Sequence, residues 1–244
     1  MSADLHVAVV GASGGIGRAL VSALLTRDDV ACVHASSYRH PLTLDEECAD
    51  DARLKSAVVD VRDEAAVHTW LSGMDRLDWL INAVGLLHTD THQPEKSIRQ
   101  FEPLHFEVNL SSNTLPSLLL AKHAERLLKQ SEAAVFATVS ARVGSIEDNR
   151  LGGWISYRSS KAALNMALKC LAIEWQRSAK RLRVLALHPG TTDTALSAPF
   201  QAGVPEGKLF SPEKTAALLL VQIEQAHAHP SGRFIDYAGE PIAW

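Results

Sequence analysis

The sequence predicts an α/β domain in which helices cover both faces of a doubly wound parallel sheet. Short runs rich in β-branched and apolar residues alternate with longer helical patterns along the whole chain. Such alternation is typical of consecutive βαβ units, whose strands are parallel. No linker-like stretch divides the 244 residues, and this length suits one large domain. We therefore expect residues 1–244 to form a single domain.

Seven segments are predicted as strands and six as helices. The strands are Leu5–Val10, Val30–Ala35, Ser56–Val59, Leu77–Asn82, Ala133–Val139, Arg181–Leu187 and Phe234–Tyr237. The helices are Gly15–Arg27, Glu64–Gly73, Glu95–Val108, Ser112–Lys129, Gly153–Ser178 and Pro212–Ala228. Because crossovers between parallel strands are right-handed, this order favours a doubly wound sheet over other arrangements.

The least regular segment, residues 191–212, contains Gly203, Pro205 and Gly207. It follows the carboxyl end of a predicted strand, where open α/β sheets bind their ligands. A plain connection is the alternative, but a connection of this length without regular structure is uncommon. We therefore expect a flexible substrate loop here.

Composition and charge exclude several classes of partner. The formal net charge is −4 and no run of Lys or Arg occurs, so we expect neither a nucleic acid nor a membrane as partner. The apolar run Leu115 to Ala121 is too short to span a bilayer. Three scattered cysteines without CxxC spacing predict no disulfide framework and no metal site. A reducing cytoplasm is the simplest location for such a chain.

A glycine-rich turn, Gly-Ala-Ser-Gly-Gly-Ile-Gly, follows the first strand and opens the first helix. Glycine permits the tight turn and lets the backbone approach a pyrophosphate closely. The helix N-terminus behind it supplies free N–H groups and a partial positive charge for an anion. A strand before the turn and a helix after it make the motif a good indication of a dinucleotide site. The expected ligands are Gly11, Ser13, Gly15, Ile16 and Gly17.

The end of the second strand favours NADP(H) over NAD(H). Sites selective for NAD usually place an acidic residue there to hold the ribose 2′-hydroxyl, but this strand ends His-Ala-Ser-Ser-Tyr-Arg. Ser36, Ser37 and Arg39 could accommodate a 2′-phosphate instead, since Arg binds phosphate in a bidentate way. The alternative is that Arg39 is only a solvated charge in a loop.

Tyr157 and Lys161 are four residues apart on a predicted helix, so both side chains lie on one face. A carbonyl that is being reduced needs a proton as hydride arrives, and tyrosine is a competent general acid. A neighbouring ammonium favours the phenolate, so we expect Lys161 to lower the Tyr157 pKa. The spacing alone is weak evidence, and it gains weight from its position after a glycine turn in an alternating α/β chain.

Together these residues resemble the short-chain dehydrogenase/reductase family, over nearly the whole chain. Within it, the chain is similar to the C-factor-like and sniffer-like carbonyl reductases. The similar segments are Ser140-Ala-Arg-Val-Gly-Ser-Ile, Leu151-Gly-Gly-Trp-Ile-Ser-Tyr157 and the ending Phe234-Ile-Asp-Tyr-Ala-Gly-Glu-Pro-Ile-Ala-Trp244. The resemblance implies a Rossmann-like sheet of about seven parallel strands. It also implies a catalytic group of Tyr, Lys, Ser and Asn, and dimers or tetramers formed through helices 112–129 and 153–178.

The resemblance also assigns cofactor contacts residue by residue. The glycines of the turn match the family's cofactor glycines. Asp60 and Val61 match the pair that usually contacts the adenine. After the fourth strand, Asn82-Ala83-Val84-Gly85 stands where the family has Asn-Asn-Ala-Gly, so the turn there can be built differently. The turn that contacts the nicotinamide carboxamide matches Pro189, Gly190, Thr192 and Thr194.

Asn109 matches the helix asparagine whose backbone carbonyl typically holds a water for the catalytic lysine. A helix cap ahead of the following Leu-Ser-Ser is the alternative interpretation.

The catalytic serine is the chief departure from the family pattern. The usual Ser-Ser-x-x-Gly, with the second serine active, is replaced by Ser140-Ala141-Arg142-Val143-Gly144. Successive strand residues point to opposite faces, so Ser140 cannot replace the missing hydroxyl without a local bend. Ser140 is the first candidate for the catalytic serine and Ser145 the second, and either could be merely structural.

The sequence therefore predicts NADPH-dependent reduction of an aldehyde or ketone, with Tyr157 as general acid and Lys161 binding the ribose hydroxyls. A dinucleotide-binding regulatory or signalling protein with little turnover is the alternative, motivated by the altered serine and asparagine motifs. A sugar-nucleotide epimerase or dehydratase ranks last, because the short chain leaves little room for a C-terminal substrate domain.

Overall fold

The computed structural model describes residues 4–89 and 91–244. Its strands are β1 (Leu5–Val10), β2 (Val30–Ser37), β3 (Leu54–Val58), β4 (Trp79–Asn82), β5 (Val135–Val139), β6 (Arg183–His188), β7 (Thr191–Thr192), β8 (Leu209–Phe210) and β9 (Arg233–Asp236). Its α-helices are α1 (Gly15–Leu25), α2 (Glu46–Ala49), α3 (Glu64–Ser72), α4 (Pro103–Asn113), α5 (Leu115–Leu128), α6 (Ile155–Ser178) and α7 (Pro212–Glu224). Four short 3₁₀ turns connect them, at Ile98–Gln100, Arg142–Gly144, Ala198–Gly203 and Gln225–Ala228.

Seven strands form one parallel sheet in the order β3-β2-β1-β4-β5-β6-β9. The chain builds outward from β1 through β2 to β3 and then returns to add β4 on the other side of β1. The strand order therefore reverses between β1 and β4, and a crevice opens at the carboxyl ends of the strands at such a switch point. The predicted doubly wound, Rossmann-like fold class is confirmed.

Two apolar layers enclose the sheet. On one face, Val7 and Val9 pack with the apolar sides of α1 and α7. On the other face, Ala8 and Val10 pack with residues of α3, α5 and α6. Because alternate strand residues point to opposite faces, a strand covered on both faces is apolar at nearly every position. This explains why β1 reads as a continuous apolar run.

The largest boundary error concerns the predicted helix Glu95–Val108, which the structure replaces with the turn Ile98–Gln100 and helix α4. Pro103 lies at the start of α4, and Glu102 before it is extended, with φ −125° and ψ 120°. A residue that precedes proline is disfavoured in the α region, and proline has no N–H to continue an earlier helix. The chain therefore begins its helix at Pro103 and continues it to Asn113.

Residues 191–212 have more regular structure than the predicted flexible loop. Thr191 and Thr192 pair with Leu209 and Phe210 in a two-stranded parallel sheet, and a 3₁₀ turn covers Ala198–Gly203. The hydroxyl of Ser197 bonds to backbone carbonyls of the same segment. Local pairing and side-chain bonds thus satisfy backbone groups that a structureless loop would leave to water.

In the part of the chain that the structure describes, no helix has both the length and the apolar character needed to cross a bilayer. Cys32, Cys48 and Cys170 are free thiols.

Candidate active site

A cleft of about 490 Å³ opens at the carboxyl ends of the central strands. It collects residues from the glycine turn, from the segments after β4 and β5, from the start of α6, and from the segment that follows β6. The predicted site residues that line it are Gly15, Ile16, Gly17, Ala83, Gly85, Ser140, Tyr157, Lys161, Pro189, Gly190, Thr192 and Thr194. The fold therefore brings most of the predicted site into one crevice.

The glycine turn has the backbone geometry that a pyrophosphate cradle needs. Gly11 has φ +78°, in the left-handed region that favours glycine. A Cβ on Gly17 would collide with the backbone carbonyl of Gly11. Helix α1 begins at Gly15 and has no acidic residue in its first turn. Its N–H groups and partial positive charge are therefore available to an anion.

Asn82 holds the turn after β4 in place. Its Oδ1 accepts a hydrogen bond from the Val84 N–H at 3.0 Å, and its Nδ2 donates to the Ser117 hydroxyl at 2.9 Å. A Cβ on Gly11 would lie 3.1 Å from the Val84 backbone nitrogen. The buried amide of Asn82 thus positions this turn against the glycine turn, although the second asparagine of the family pattern is absent.

Four predicted cofactor residues lie near the ends of β2 and β3 and do not line the cleft. They are Ser36, Arg39, Asp60 and Val61. The Ser36 hydroxyl is fully buried and has no partner among the described residues. Asp60 forms a two-bond ion pair with Arg62, and Val61 is buried. The guanidinium groups of Arg39 and Arg62 lie 4.9 and 4.5 Å from the centroid of the exposed Tyr38 ring. Among the side chains that the structure describes, no carboxylate pairs with Arg39.

Tyr157 and Lys161 are both buried in the first turns of α6. The Lys161 ammonium donates to the Val139 carbonyl at 3.1 Å and lies 5.9 Å from the centroid of the Tyr157 ring. Burial raises the pKa of Tyr157 and lowers the pKa of Lys161 to about 8. The direction of the Tyr157 pKa shift is opposite to the sequence prediction, because burial desolvates the phenolate. The raised pKa favours the protonated phenol, which is the form that can donate a proton.

The two candidate serines use their hydroxyls within the fold. Ser140 lines the cleft, but its Oγ donates to Asn165 Oδ1 on α6 at 2.6 Å. Ser145 Oγ bonds to the Trp244 carbonyl and accepts from the Asp148 N–H. Ala141, at the position of the family's active serine, also lines the cleft. The side chain at that position has no hydroxyl to offer a substrate.

Asn109 is fully buried on α4, where its Nδ2 donates to the His105 carbonyl at 3.0 Å. Its Oδ1 accepts from Asn113 at 3.3 Å. Asn113, which the sequence analysis did not single out, also bonds both backbone groups of Leu86 and the hydroxyl of Ser160. Asn113 therefore ties the turn after β4 to the helix that carries Tyr157. Its spacing of four residues from Asn109 was the available sequence signal.

The segment after β6 closes the cleft beside the glycine turn. Gly190 has φ +76°, and a Cβ there would meet the rings of Phe210 and Tyr237. The Thr192 hydroxyl bonds to that of Thr215 at 2.8 Å. A Cβ on Gly15 would lie 2.6 Å from the Thr194 methyl group. The turn that the family uses for the nicotinamide therefore lies directly against the start of α1.

Aromatic side chains form the outer wall of the cleft. The Trp154 ring lies 6.4 Å from the Tyr157 ring and 4.9 Å from the Phe200 ring. Leu87, Val143, Leu196 and Val204 line the same crevice. The space beside the Tyr157 hydroxyl is therefore mostly apolar.

A second residue that the sequence analysis missed is Glu95, a buried carboxylate at the N-terminus of α6. Its side chain accepts from the Ser156 N–H at 3.2 Å and from the Ser156 hydroxyl, and its backbone carbonyl accepts from Trp154. Trp154 has φ +49°, unusual for a residue with a side chain, and follows two glycines with positive φ. No Lys or Arg pairs with Glu95 in the described ranges. The N–H and hydroxyl of Ser156 at the positive end of α6 therefore compensate the Glu95 carboxylate and hold the strained entry to Tyr157.

Replacing Glu95 with alanine is expected to lower the free energy of unfolding by about 2 kcal/mol, because it leaves buried donors of Ser156 without a partner. Glu95→Gln keeps an acceptor and should lose less. The check is urea denaturation with kcat measured in parallel, and Glu102→Ala, an exposed carboxylate on the neighbouring segment, is the control. Equal stability of Glu95→Ala and Glu102→Ala would contradict the capping role.

A dinucleotide cradle at the switch point of a doubly wound sheet, with a buried tyrosine and lysine in the same cleft, defines a nicotinamide-dependent oxidoreductase. The chain belongs to the short chain dehydrogenase family, whose model matches residues 5–204. The predicted family is confirmed.

Three similar proteins illustrate the relationship. 1-Hydroxy-2-glutathionyl-2-methyl-3-butene dehydrogenase of Rhodococcus sp. (strain AD45) is 32% identical over 169 residues, 69% of each chain. C-signal of Myxococcus xanthus is 34% identical over 117 residues, which cover 48% of this chain and 65% of that protein. The NADPH-bound carbonyl reductase from chicken fatty liver has a TM-score of 0.86 at 24% identity, covering 99% of this chain and 100% of the other.

Proposed function

We propose that this protein reduces the carbonyl group of an apolar aldehyde or ketone to an alcohol, with NADPH as hydride donor. The observation that carries the proposal is the buried Tyr157 beside Lys161 in the cleft next to the glycine turn. Binding a dinucleotide does not require a general acid, whereas reducing a carbonyl does.

The protein residues would handle the proton side of the reaction. Bound NADPH would supply hydride to the carbonyl carbon. As the C=O electron pair moves onto oxygen, the Tyr157 hydroxyl donates its proton to that oxygen and completes the alcohol. The ammonium of Lys161, anchored on the Val139 carbonyl, then favours the resulting phenolate until the proton is replaced. The apolar wall keeps bulk water away, which strengthens these electrostatic interactions.

NADP(H) is supported by the charges at the end of β2. Asp60 already neutralises Arg62, whereas Arg39 lacks an acidic partner among the described residues and is exposed. An unpaired guanidinium beside the adenosine end of the cradle suits a 2′-phosphate. Residues Ser36–Arg39 include no acidic side chain. An acidic side chain there would repel the 2′-phosphate of NADP(H) and bind the free 2′-hydroxyl of NAD(H). We therefore expect NAD(H) to bind more weakly than NADP(H).

Replacing Arg39 with alanine is expected to raise KM for NADPH by about 10–100-fold, since a charge-assisted hydrogen bond contributes about 1.5–3 kcal/mol. KM for NADH should change little, because NADH has no 2′-phosphate. The comparison needs both cofactors with one aldehyde, and Arg99→Ala, an exposed arginine elsewhere, serves as control. Equal loss with both cofactors would contradict a phosphate contact.

Residues 191–212 are proposed as the substrate-binding segment. Leu196, Phe200 and Val204 from this segment line the cleft, and the Phe200 ring packs on Trp154. The His88 ring bonds to the Ala195 carbonyl and lies 5.9 Å from Phe200. An apolar substrate would therefore lie between this segment and the entry to α6.

A homodimer or homotetramer through α5 and α6 is also proposed. Leu118 on α5 and Met166 and Ile173 on α6 are exposed, although they are large and apolar. Exposed apolar groups on long helices are typical of surfaces that bury against another chain.

The alternative function is a dinucleotide-binding regulatory protein with little turnover. The observation that favours it is Ala141, which leaves the expected serine position without a hydroxyl. The relative named C-signal is consistent with either function.

Consumption of NADPH by the purified protein with a panel of aryl and alkyl aldehydes and ketones separates the two functions. Turnover of at least one class of carbonyl supports the reductase. Tight NADPH binding without any turnover would support the regulatory alternative and overturn the reductase. Omission of the carbonyl measures background oxidation of the cofactor.

A further inference from the structure

His188 is a partly buried, polar side chain of the cleft to which neither the family pattern nor the proposed mechanism assigns a role. It ends β6, and the backbone N–H of Ser140 at the end of β5 bonds to the preceding Leu187 carbonyl at 2.8 Å. His188 and Ala141 therefore lie at the ends of neighbouring strands, and both line the cleft with Tyr157.

The surroundings of the ring leave it without a protein partner. His188 Nδ1 is fully buried and unpaired among the described residues. The neighbouring carboxylate of Asp236 accepts from the N–H groups of Ala238 and Glu240 and pairs with Arg142 at 3.6 Å. Burial and the nearby Arg142 charge lower the pKa of His188 to about 4, although Asp236 opposes the shift. The imidazole is therefore neutral at physiological pH.

A neutral imidazole carries one N–H, and the burial of Nδ1 decides which nitrogen holds it. A proton on Nδ1 would be a buried donor without an acceptor, which is among the rarer defects in folded proteins. A proton on Nε2 avoids that defect and leaves Nδ1 as the unpaired acceptor. The favoured tautomer therefore carries its N–H on Nε2, the ring nitrogen that is not among the buried, unpaired atoms of this cleft-lining residue.

We propose that the Nε2–H of His188 donates a hydrogen bond to the carbonyl oxygen of the substrate, in place of the hydroxyl missing at Ala141. The inference rests on the proposed reductase function. His188 transfers no proton: Tyr157 supplies the proton, hydride comes from the cofactor, and the imidazole stabilises the charge that develops on oxygen. A second donor at this position also explains how the chain can function with alanine where its family has serine.

The test combines loss and rescue. His188→Ala is expected to lower kcat/KM for carbonyl reduction by about 10²-fold, the usual effect of removing one donor to a developing oxyanion. Adding Ala141→Ser to His188→Ala should raise kcat/KM about tenfold or more above that of His188→Ala, because it returns a hydroxyl to the family position. The same Ala141→Ser change in the wild type should have a much smaller effect. Affinity for NADPH, measured by fluorescence, is the folding control.

Different outcomes reject different ideas. If the wild type reduces carbonyls and His188→Ala keeps the full rate, the proposed role of His188 is overturned but the proposed reductase function is not. Failure of Ala141→Ser to rescue the loss would assign His188 to structure. A wild type without turnover would overturn the proposed function itself.

A readout that needs no substrate is available from ¹⁵N nuclear magnetic resonance of the imidazole nitrogens, with the His188 signal assigned from its absence in His188→Gln. A neutral ring with its proton on Nε2 at pH 7 is expected. A proton on Nδ1, or an imidazolium, would overturn the proposal whatever the activity.

A separate observation concerns three potential metal ligands far from the cleft. His6 on β1 stands opposite Cys32 on β2, and Cys32 and His34 are two residues apart on the same strand. All three side chains therefore project from one face of the sheet. Their ligand atoms lie within 4.8 Å of one another, so shifts of about 1 Å would bring them to tetrahedral distances around a metal ion.

The chemistry of this cluster suits a borderline-soft divalent cation. Two of the ligand atoms, the Cys32 Sγ and the His34 Nε2, already lie 3.4 Å apart. Two imidazole nitrogens and one cysteine sulfur match the ligands that zinc prefers, and three protein ligands leave one position for water. His6 is only partly buried, which gives an ion access. Lys55 pairs with His34 across the strands, and its positive charge would repel a bound cation.

We infer that His6, Cys32 and His34 bind one divalent cation of the zinc class. Cobalt(II) added to the reduced protein should give a near-ultraviolet thiolate-to-cobalt band that saturates at one equivalent and disappears on adding zinc. Cys32→Ser and His34→Gln should abolish the band, whereas Cys170→Ser, which changes an exposed thiol, should keep it. Lys55→Gln should tighten binding on the order of tenfold. A band that is absent, or that depends on Cys170 instead of Cys32, would overturn the inference.

Discussion

Replacing Tyr157 with phenylalanine is expected to lower kcat for carbonyl reduction by about 10²–10⁴-fold, the usual contribution of a general acid. Phenylalanine keeps the ring that packs beside Trp154 and below the Lys161 ammonium. It removes only the hydroxyl whose proton completes the alcohol. The dissociation constant for NADPH should therefore stay within about twofold of the wild-type value. Steady-state NADPH oxidation and fluorescence titration measure the two quantities.

Tyr237→Phe is the matched control for the loss of a tyrosine hydroxyl. The Tyr237 ring packs against Phe210 at 4.8 Å, but the residue does not line the cleft. Its variant should keep the wild-type rate. If Tyr157→Phe also reduced carbonyls at the wild-type rate, the proton would have to come from another group, and the proposed mechanism would fail.

The sheet could be predicted from the sequence because its determinants are local. A strand covered on both faces must be apolar at nearly every position, as β1 is. The glycine turn could be recognised because Gly11 adopts a positive φ and Gly17 touches the backbone of Gly11. Both requirements leave a direct mark on residue type, so the cradle and its place in the fold were visible before the structure.

Residues whose partners lie far along the chain could not be recognised in the same way. Glu95 caps a helix that begins 60 residues later, and a glutamate in a polar segment gives no sign of that contact. Asn113 connects Leu86 with Ser160 for the same kind of reason. Such contacts depend on how elements pack, which neither spacing nor periodicity reports.

The direction of the Tyr157 pKa shift shows a different limit. The spacing of Tyr157 and Lys161 correctly places both side chains in one cleft, and an ammonium nearby favours a phenolate. The opposing effect of burial depends on how completely the surrounding helices and loops cover the phenol, and only the structure gives that quantity.

Replacing Lys161 with methionine is expected to abolish carbonyl reduction and, at pH 7, to stabilise the fold by about 2 kcal/mol. Burial lowers the pKa of Lys161 from its ordinary 10.5 to about 8, a difference that corresponds to about 3 kcal/mol of destabilisation while the group is charged. Methionine has a similar length and no charge. Losing the hydrogen bond to the Val139 carbonyl offsets about 1 kcal/mol of the gain. Urea denaturation gives the free energy of unfolding.

The sign of the pH dependence makes this prediction specific. Below pH 8 the ammonium is charged in both the folded and the unfolded chain, and the folded chain bears the full cost of burying it. Between pH 8 and 10.5 the folded chain releases its proton first, so wild-type stability rises with pH relative to the variant. The advantage of Lys161→Met should therefore shrink across that interval.

Lys169→Met, a partly exposed lysine of the same helix, should show neither the gain nor its pH dependence. A Lys161→Met variant that is less stable than the wild type at pH 7 would mean that the contacts of the ammonium outweigh its desolvation. A stabilised but inactive variant would show that the fold retains a buried charge at a cost in stability because the chemistry requires it.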